Sequence, residues 1–268
     1  MKMILVIALL IFPFQPINAW WFSKPNTNLE EKIVERKELL EKLGSTAIEI
    51  PVNGLRTIKA AYVHRNDAPW CGIVFHGFGE SKEIYQPLVE LFPDASLLLV
   101  DLKHHGSNQG LTLKDFDAVV QEITASCAWL QKQSCKKRIG FGFSLGGITL
   151  IDAASQCHLD GIVLDGVASS LKKAAREFGW YFKSPLLWSM SWLLPHGNIV
   201  ESIQTIKTPL LIMHALHDPV IPNYHAYTLH NAAKNSKLYL YPCNAHCRGH
   251  RLISENWKSE VEEFINKI

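Results

Sequence analysis

Residues 138–150 read RIGFGFSLGGITL, and the fold turns on how Ser144 sits in that stretch. Ile139 to Phe143 has the apolar run of a strand, and Leu145 to Gln156 the longer pattern of a helix. Ser144 therefore falls in the turn between them, with Gly142 and Gly146 two positions away on either side. A serine at a tight strand-to-helix turn holds a strained backbone, and its second neighbours lie so close that a side chain would clash. Glycine at both positions relieves this, and Gly147 eases the helix further. The turn would lift the hydroxyl above the sheet edge, where the helix dipole and unbonded N–H groups favour a developing anion.

Outward from this turn the chain alternates short strand-like runs with longer helical ones. Strands are expected at Ala47 to Ile50, Ile58 to Val63, Gly72 to Phe75, Leu97 to Val100, Ile139 to Phe143, Gly161 to Leu164, Leu210 to His214 and Leu238 to Tyr241. Helices are expected from Asn28 to Leu43, stopped by Gly44, and at Lys82 to Leu91, Leu113 to Gln131, Leu145 to Gln156, Pro222 to Ala233 and Leu252 to Ile268. Several central strands are unbroken apolar runs, as when helices cover both faces of a sheet. The alternation predicts an α/β fold: a mostly parallel eight-stranded sheet with helices on both faces. One connection is too long for this rhythm. Residues 168–208 carry Trp180, Tyr181, Phe182, Leu186, Leu187, Trp188, Trp192, Leu193 and Leu194, which reads as an inserted helical cap, the alternative being extra core helices that touch no substrate.

The chain has 268 residues, 47% of them hydrophobic, which suits one large domain. With 27 basic against 25 acidic side chains there is no net field to attract nucleic acid, and no such partner is expected. Residues 1–19, MKMILVIALLIFPFQPINA, combine Lys2, an apolar run, two prolines and a small exit residue. That is the pattern of a secretory signal peptide, followed by one domain over 20–268. Export to a periplasmic or secreted location is expected. The alternative is an uncleaved segment that anchors the protein to a membrane, with Trp20, Trp21 and Phe22 at the interface. An exported chain with six cysteines favours disulfides over metal or reactive thiols.

A serine nucleophile needs a base, and the base needs an orienting acid. Asp218 follows an apolar strand in TPLLIMHALHDPVIP, residues 208–222, and His246 follows the last strand in YPCNAHCRGH, residues 241–250. The order Ser, Asp, His is that of the α/β-hydrolase fold. Nearly the whole chain after the leader resembles that superfamily, in particular its lipase, esterase and serine-aminopeptidase-like branch. VFHGFGES (74–81) resembles the oxyanion segment, which implies that the N–H groups of Phe78 and Leu145 bind the oxyanion. VDLKHHGSNQG (100–110) resembles the segment after the fourth strand, with His104 where glycine is usual. HALHDPVIP (214–222) resembles the acid segment, with Ala215 replacing glycine.

Rivals exist for two roles. Asp165, in LDGVASS, is the alternative acid, because some members of this fold take it from the earlier strand. His250 is the alternative base, although its expected place is the exposed start of the final helix. His76 is expected to brace its loop, and His214, His217, His225, His104 and His105 receive no role. Zinc on His246 would occupy the nitrogen that must face Ser144. Cys243 and Cys247 are therefore read as a disulfide that staples the histidine loop, and no metal or cofactor is expected. Cys71, Cys127, Cys135 and Cys157 are expected at the opposite end of the sheet, in pairings the sequence leaves open.

The expected protein is an exported serine hydrolase of carboxylic esters that takes a small-molecule or lipid-like ester. Peptidase, thioesterase or acyltransferase chemistry would use the same residues. A reading from another class is a catalytically silent binding module, since fold alone does not prove activity.

Overall fold

The computed structural model of the chain describes residues 29–52, 54, 56–103, 105–108, 116–181 and 198–268. In chain order the first half comprises α1 (Leu29–Lys42), β1 (Ser45–Val52), β2 (Arg56–Val63), β3 (Cys71–Phe75), α2 (Gln86–Leu91), β4 (Ser96–Val100), α3 (Phe116–Gln131) and β5 (Arg138–Phe143). It continues with α4 (Leu145–Ala153), β6 (Gly161–Asp165), α5 (Leu171–Tyr181), α6 (Ile199–Thr205) and β7 (Leu210–Ala215). Last come α7 (Tyr224–Ala232), β8 (Ser236–Tyr241), α8 (Gly249–Leu252) and α9 (Ser254–Lys267). Each of the eight expected strands is present. Gly44 ends α1 with φ +85°, a left-handed conformation that costs glycine little.

The strands form one sheet of eight in the order β1-β2-β4-β3-β5-β6-β7-β8. β2 is antiparallel to both neighbours, and every other pairing is parallel. Every side chain of β3, β4, β6 and β7 is buried, as their unbroken apolar runs require of strands covered on both faces. One core cluster gathers Ile73, Leu98, Ile148, Leu150, Ile203 and Leu229; the other, Val74, Leu99, Phe141, Met213, Trp257 and Val261.

The chain passes from β3 to β4 on one side, then returns to place β5 on the other side of β3. This reversal puts the switch point of the sheet at the carboxyl ends of β3 and β5, the place where open α/β sheets in general bind ligands. Phe75 pairs with Gly142, so the loops carrying Phe78 and Ser144 leave the sheet at one level.

Cys71 is bonded to Cys135 and Cys127 to Cys157, with Cα separations of 5.7 and 5.4 Å. Both bonds lie towards the amino ends of the parallel strands, away from Ser144. Of the expected insertion, α5 and α6 are described. Residues 182–197, which hold most of the large apolar groups, lie outside the described residues, as do the side chains of Trp180 and Tyr181 and the leader 1–19. Among the described residues no helix is long and apolar enough to cross a membrane.

Candidate active site

Ser144 occupies the turn between β5 and α4 with φ +50° and ψ −114°, an unfavourable backbone conformation for a side chain with a Cβ. The neighbouring glycines are forced by backbone, not by movable side chains. A Cβ on Gly142 would stand 2.5 Å from the Cα of Gly147, and one on Gly146 would stand 2.3 Å from the carbonyl oxygen of Phe75. The turn is pinned by the Ser144 N–H, which donates to the Asp165 carbonyl at 3.0 Å, and by the Ser144 carbonyl, which accepts from Gly147 and Ile148.

Asp218 and His246 come together. His246 Nδ1 lies 2.7 Å from Asp218 Oδ2, while Asp218 Oδ1 accepts the N–H groups of Val220 and Ile221 at 2.8 and 2.9 Å. Both carboxylate oxygens are thus bonded, and the acceptor at Oδ2 assigns the imidazole proton to Nδ1 and leaves Nε2 as the basic nitrogen. The β7–β8 pairing continues into the two loops, because Leu216 N–H donates to Tyr241 and His217 N–H donates to Cys243. His214 flanks the acid: its Nε2 donates to the Ile221 carbonyl at 2.8 Å and lies 3.6 Å from Asp218 Oδ2.

Burial opposes the charging of His246, but the Asp218 carboxylate outweighs it and holds the imidazole above its ordinary pKa. Burial likewise opposes ionisation of Asp218, and the His246 charge and hydrogen bond overcome that to keep its carboxyl below the usual range. The pair is therefore built to favour an imidazolium beside a carboxylate. Among the described residues no hydrogen bond joins the Ser144 hydroxyl to His246; Cys247 Sγ lies 3.5 Å from Nε2.

The amide N–H groups of Phe78 and Leu145 donate to no described protein group. His76 is braced as expected. Its Nε2 accepts from Leu102 N–H at 3.0 Å, which places the proton on Nδ1, 2.8 Å from the Gly77 carbonyl. That carbonyl and the Phe78 N–H belong to one trans peptide, so they point in opposite directions, and His76 sets the direction of the amide.

Two expectations are corrected, and the alternative acid is placed elsewhere. Asp165 does not bond His246. Its buried carboxylate accepts from Tyr241 Oη at 2.7 Å and Trp257 Nε1 at 3.0 Å, and burial pushes its pKa up to about 7. Cys243 and Cys247 are not a disulfide but two buried free thiols. Cys247 has φ +48°, which turns its sulfur inward to donate to the Asp165 carbonyl at 3.1 Å, against Gly166, where a Cβ would meet that sulfur at 2.3 Å. The histidine loop is held by hydrogen bonds instead. His250 is buried, not exposed, because α8 directs it between Tyr85, Phe143 and Trp257 while Arg251 and Leu252 face solvent.

Sequence reasoning passed over two groups at this edge. Glu80 accepts from Gly77 N–H at 3.0 Å and Tyr85 Oη at 2.7 Å, and pairs with Arg248 at 3.2 Å. His225 accepts from Ser169 at Nδ1 and meets Glu177 of α5 through Nε2 at 2.8 Å, and Tyr224 Oη also bonds Glu177. No periodicity marks either group. Among the described residues no set of three or more His, Cys, Asp or Glu could hold a metal ion.

The model of the alpha/beta hydrolase family matches residues 73–233, more than half of the chain. The chain belongs to the alpha/beta hydrolase family. Within it, 95 residues are 35% identical to a 2-succinyl-6-hydroxy-2,4-cyclohexadiene-1-carboxylate synthase of Pectobacterium atrosepticum, covering 35% of this chain and 36% of that protein. Another 73-residue match, 33% identical, is to the human serine hydrolase BPHL, over 27% of this chain and 25% of that one. The chain thus spans about a third or less of the length of these curated relatives. An esterase of Pyrococcus furiosus shares the alpha/beta hydrolase fold with a TM-score of 0.70 at 22% identity, covering 85% of this chain and 92% of that one. An esterase of Exiguobacterium antarcticum superposes with a TM-score of 0.65 at 14% identity, over 82% and 100% of the two chains.

Proposed function

We propose that this chain is an exported serine hydrolase that cleaves carboxylic esters, with Ser144 as nucleophile, His246 as base and Asp218 as its orienting acid. The observation that carries the reading is the strained turn at Ser144, where φ is +50° and backbone contacts exclude any side chain at positions 142 and 146. Strain of this kind persists where the surroundings enforce it, and it clusters at functional sites.

In the reaction, His246 Nε2 takes the Ser144 proton as Oγ attacks the acyl carbon. The Asp218 carboxylate stabilises the imidazolium, and the N–H groups of Phe78 and Leu145 hold the oxyanion. The imidazolium then returns its proton to the departing alcohol, and water releases the acyl group by the same steps in reverse. Esterase names among the structural neighbours support ester chemistry, and the apolar residues of the 168–208 insertion support a lipophilic or acyl substrate. The two disulfides and the leader-like residues 1–19 support export.

The test is fluorophosphonate labelling of the wild type beside Ser144→Ala, with short-chain p-nitrophenyl esters as substrates. Labelling and turnover are expected in the first and absent in the second, with unchanged melting. Persistent labelling of Ser144→Ala removes Ser144 from the mechanism.

A further inference from the structure

We propose that Glu80 and Arg248 are positioning residues of this reaction: their ion pair fastens the loop carrying the Phe78 N–H to the loop carrying His246, so that the oxyanion donor and the base are set as one unit. The proposal rests on the triad reading above.

Glu80 sits two residues after Phe78, and Arg248 two residues after His246. Glu80 Oε1 meets Arg248 Nη2 at 3.2 Å, and the two side chains are only 8% and 12% exposed. The other oxygen of Glu80 folds back on its own loop and accepts both Gly77 N–H and Tyr85 Oη. Gly77 is consequently held at both ends, its N–H by Glu80 and its carbonyl by His76. The next amide in the chain is that of Phe78, which has no rotational freedom left once residue 77 is fixed. Space at this point is also tight: a Cβ on Gly77 would stand 3.0 Å from Glu80 Oε2 and 3.4 Å from the Ser144 Cβ. The carboxylate thus bonds the donor loop, and that loop passes beside Ser144 with no room for a side chain at Gly77.

The charge state agrees. Burial opposes ionisation of Glu80, yet Arg248, with the Tyr85 hydroxyl and the Gly77 N–H, keeps its carboxyl below the usual range. Buried ion pairs often add little net stability, and a matched apolar pair can replace them at no loss. A role in stability alone therefore predicts nothing about rate, whereas a role in positioning does, since displacements near 1 Å cost orders of magnitude.

Glu80 also faces His246 electrostatically. Among the described residues, the other titratable groups around that ring include Asp218 after β7, Asp165 at the end of β6, His214 in β7 and Cys247 beside it. Loss of the Glu80 charge removes one influence that favours the imidazolium.

The experiment compares wild type, Glu80→Gln, Arg248→Met, Arg248→Lys and the double variant Glu80→Gln/Arg248→Met, by p-nitrophenyl acetate kinetics, fluorophosphonate labelling rate and melting. Expected for Glu80→Gln and Arg248→Met is a fall in kcat of roughly 10- to 100-fold with KM within about threefold, as for a misplaced oxyanion donor. The acid limb of the Glu80→Gln pH profile should move to lower pH, Arg248→Lys should recover most of the rate, and the double variant should be no slower than the singles. A wild-type kcat in the folded double variant, or in either neutral single variant, overturns the proposal while leaving the triad intact. Should a single variant fail to fold, the double variant and Arg248→Lys decide by the same criteria. A wild-type protein that neither labels nor turns over overturns the triad reading itself, and this proposal with it.

Discussion

The Nδ1 of His246 bonds Oδ2 of Asp218 across 2.7 Å, and this bond joins loops that leave two adjacent strands, β7 and β8. It fixes the tautomer of the imidazole and favours its cation. Asp218→Asn would put an amide where a carboxylate accepts, and would free the ring to take the wrong tautomer. A loss of ~10³- to 10⁴-fold in kcat is expected, with the fold intact. Asp165→Asn should stay within a few-fold of wild type, because Asp165 bonds Tyr241 and Trp257 instead. Steady-state rates of both variants check this, and the reverse ranking would return the acid to β6.

The same pairing sets a pH dependence. As the proposed base, His246 would act only when neutral, and its pKa is raised in the folded protein. Activity is therefore lost as pH falls through that raised value, so the acid limb of kcat/KM should lie above the ordinary imidazole value of about 6.5. A limb at or below that value would mean that Asp218 does not favour the cation.

Asp165 supplies a separate test of stability. Its folded pKa of about 7 lies above the ordinary 3.8, so the folded state holds the proton more tightly than the unfolded chain does. Its contribution is full below the unfolded value and is lost as pH rises through the folded one, so the decline falls between about pH 4 and 7. Asp165→Asn should abolish that part of the decline. Thermal melts of both proteins at pH 5 and pH 8 measure it, and the gap between them should shift towards the variant at the higher pH.

Gly146 answers to the backbone. A methyl there would meet the carbonyl oxygens of Phe75 and His76 at 2.3 and 2.6 Å, and neither can rotate away. Gly146→Ala is expected to cost about 3 kcal/mol, the upper range for overpacking. In a domain of this size that lowers Tm by about 10 °C. An unchanged Tm would show that β3 can move aside.

The cysteines are testable by peptide mapping without reduction. Linked peptides for Cys71–Cys135 and Cys127–Cys157 are expected, with Cys243 and Cys247 alkylated after unfolding. Both thiols should resist the reagent in the native protein, since both are buried and burial pushes the Cys247 thiol well up.

What was legible in the sequence was whatever depends on period and local sterics. Apolar runs such as Leu97 to Val100 mark buried strands, and the glycines around Ser144 mark a turn that only glycine can flank. Asp218 and His246 were legible because each follows a strand directly, which places both at one edge. The pairing of Cys243 was misread because it depends on where a sulfur points, and the left-handed backbone of Cys247 turns it towards Asp165. Glu80 was invisible for a related reason. Its neighbours Gly77 and Tyr85 are local, but Arg248 is brought to it only by the closed fold.

The two disulfides overlap along the chain, since Cys127 lies within the loop closed by Cys71 and Cys135 while Cys157 lies beyond it. Residues 71–157 are thereby enclosed by covalent links, and that enclosure contains both the Phe78 segment and Ser144. Asp218 and His246 belong to the unenclosed remainder. A molecule whose last strands peel away parts with the proposed base and acid but keeps the proposed nucleophile and oxyanion amides fastened to the same piece of sheet. β6 follows the enclosure by only a few residues, so it is the first strand beyond the covalent links and the one against which β7 and β8 pair in turn.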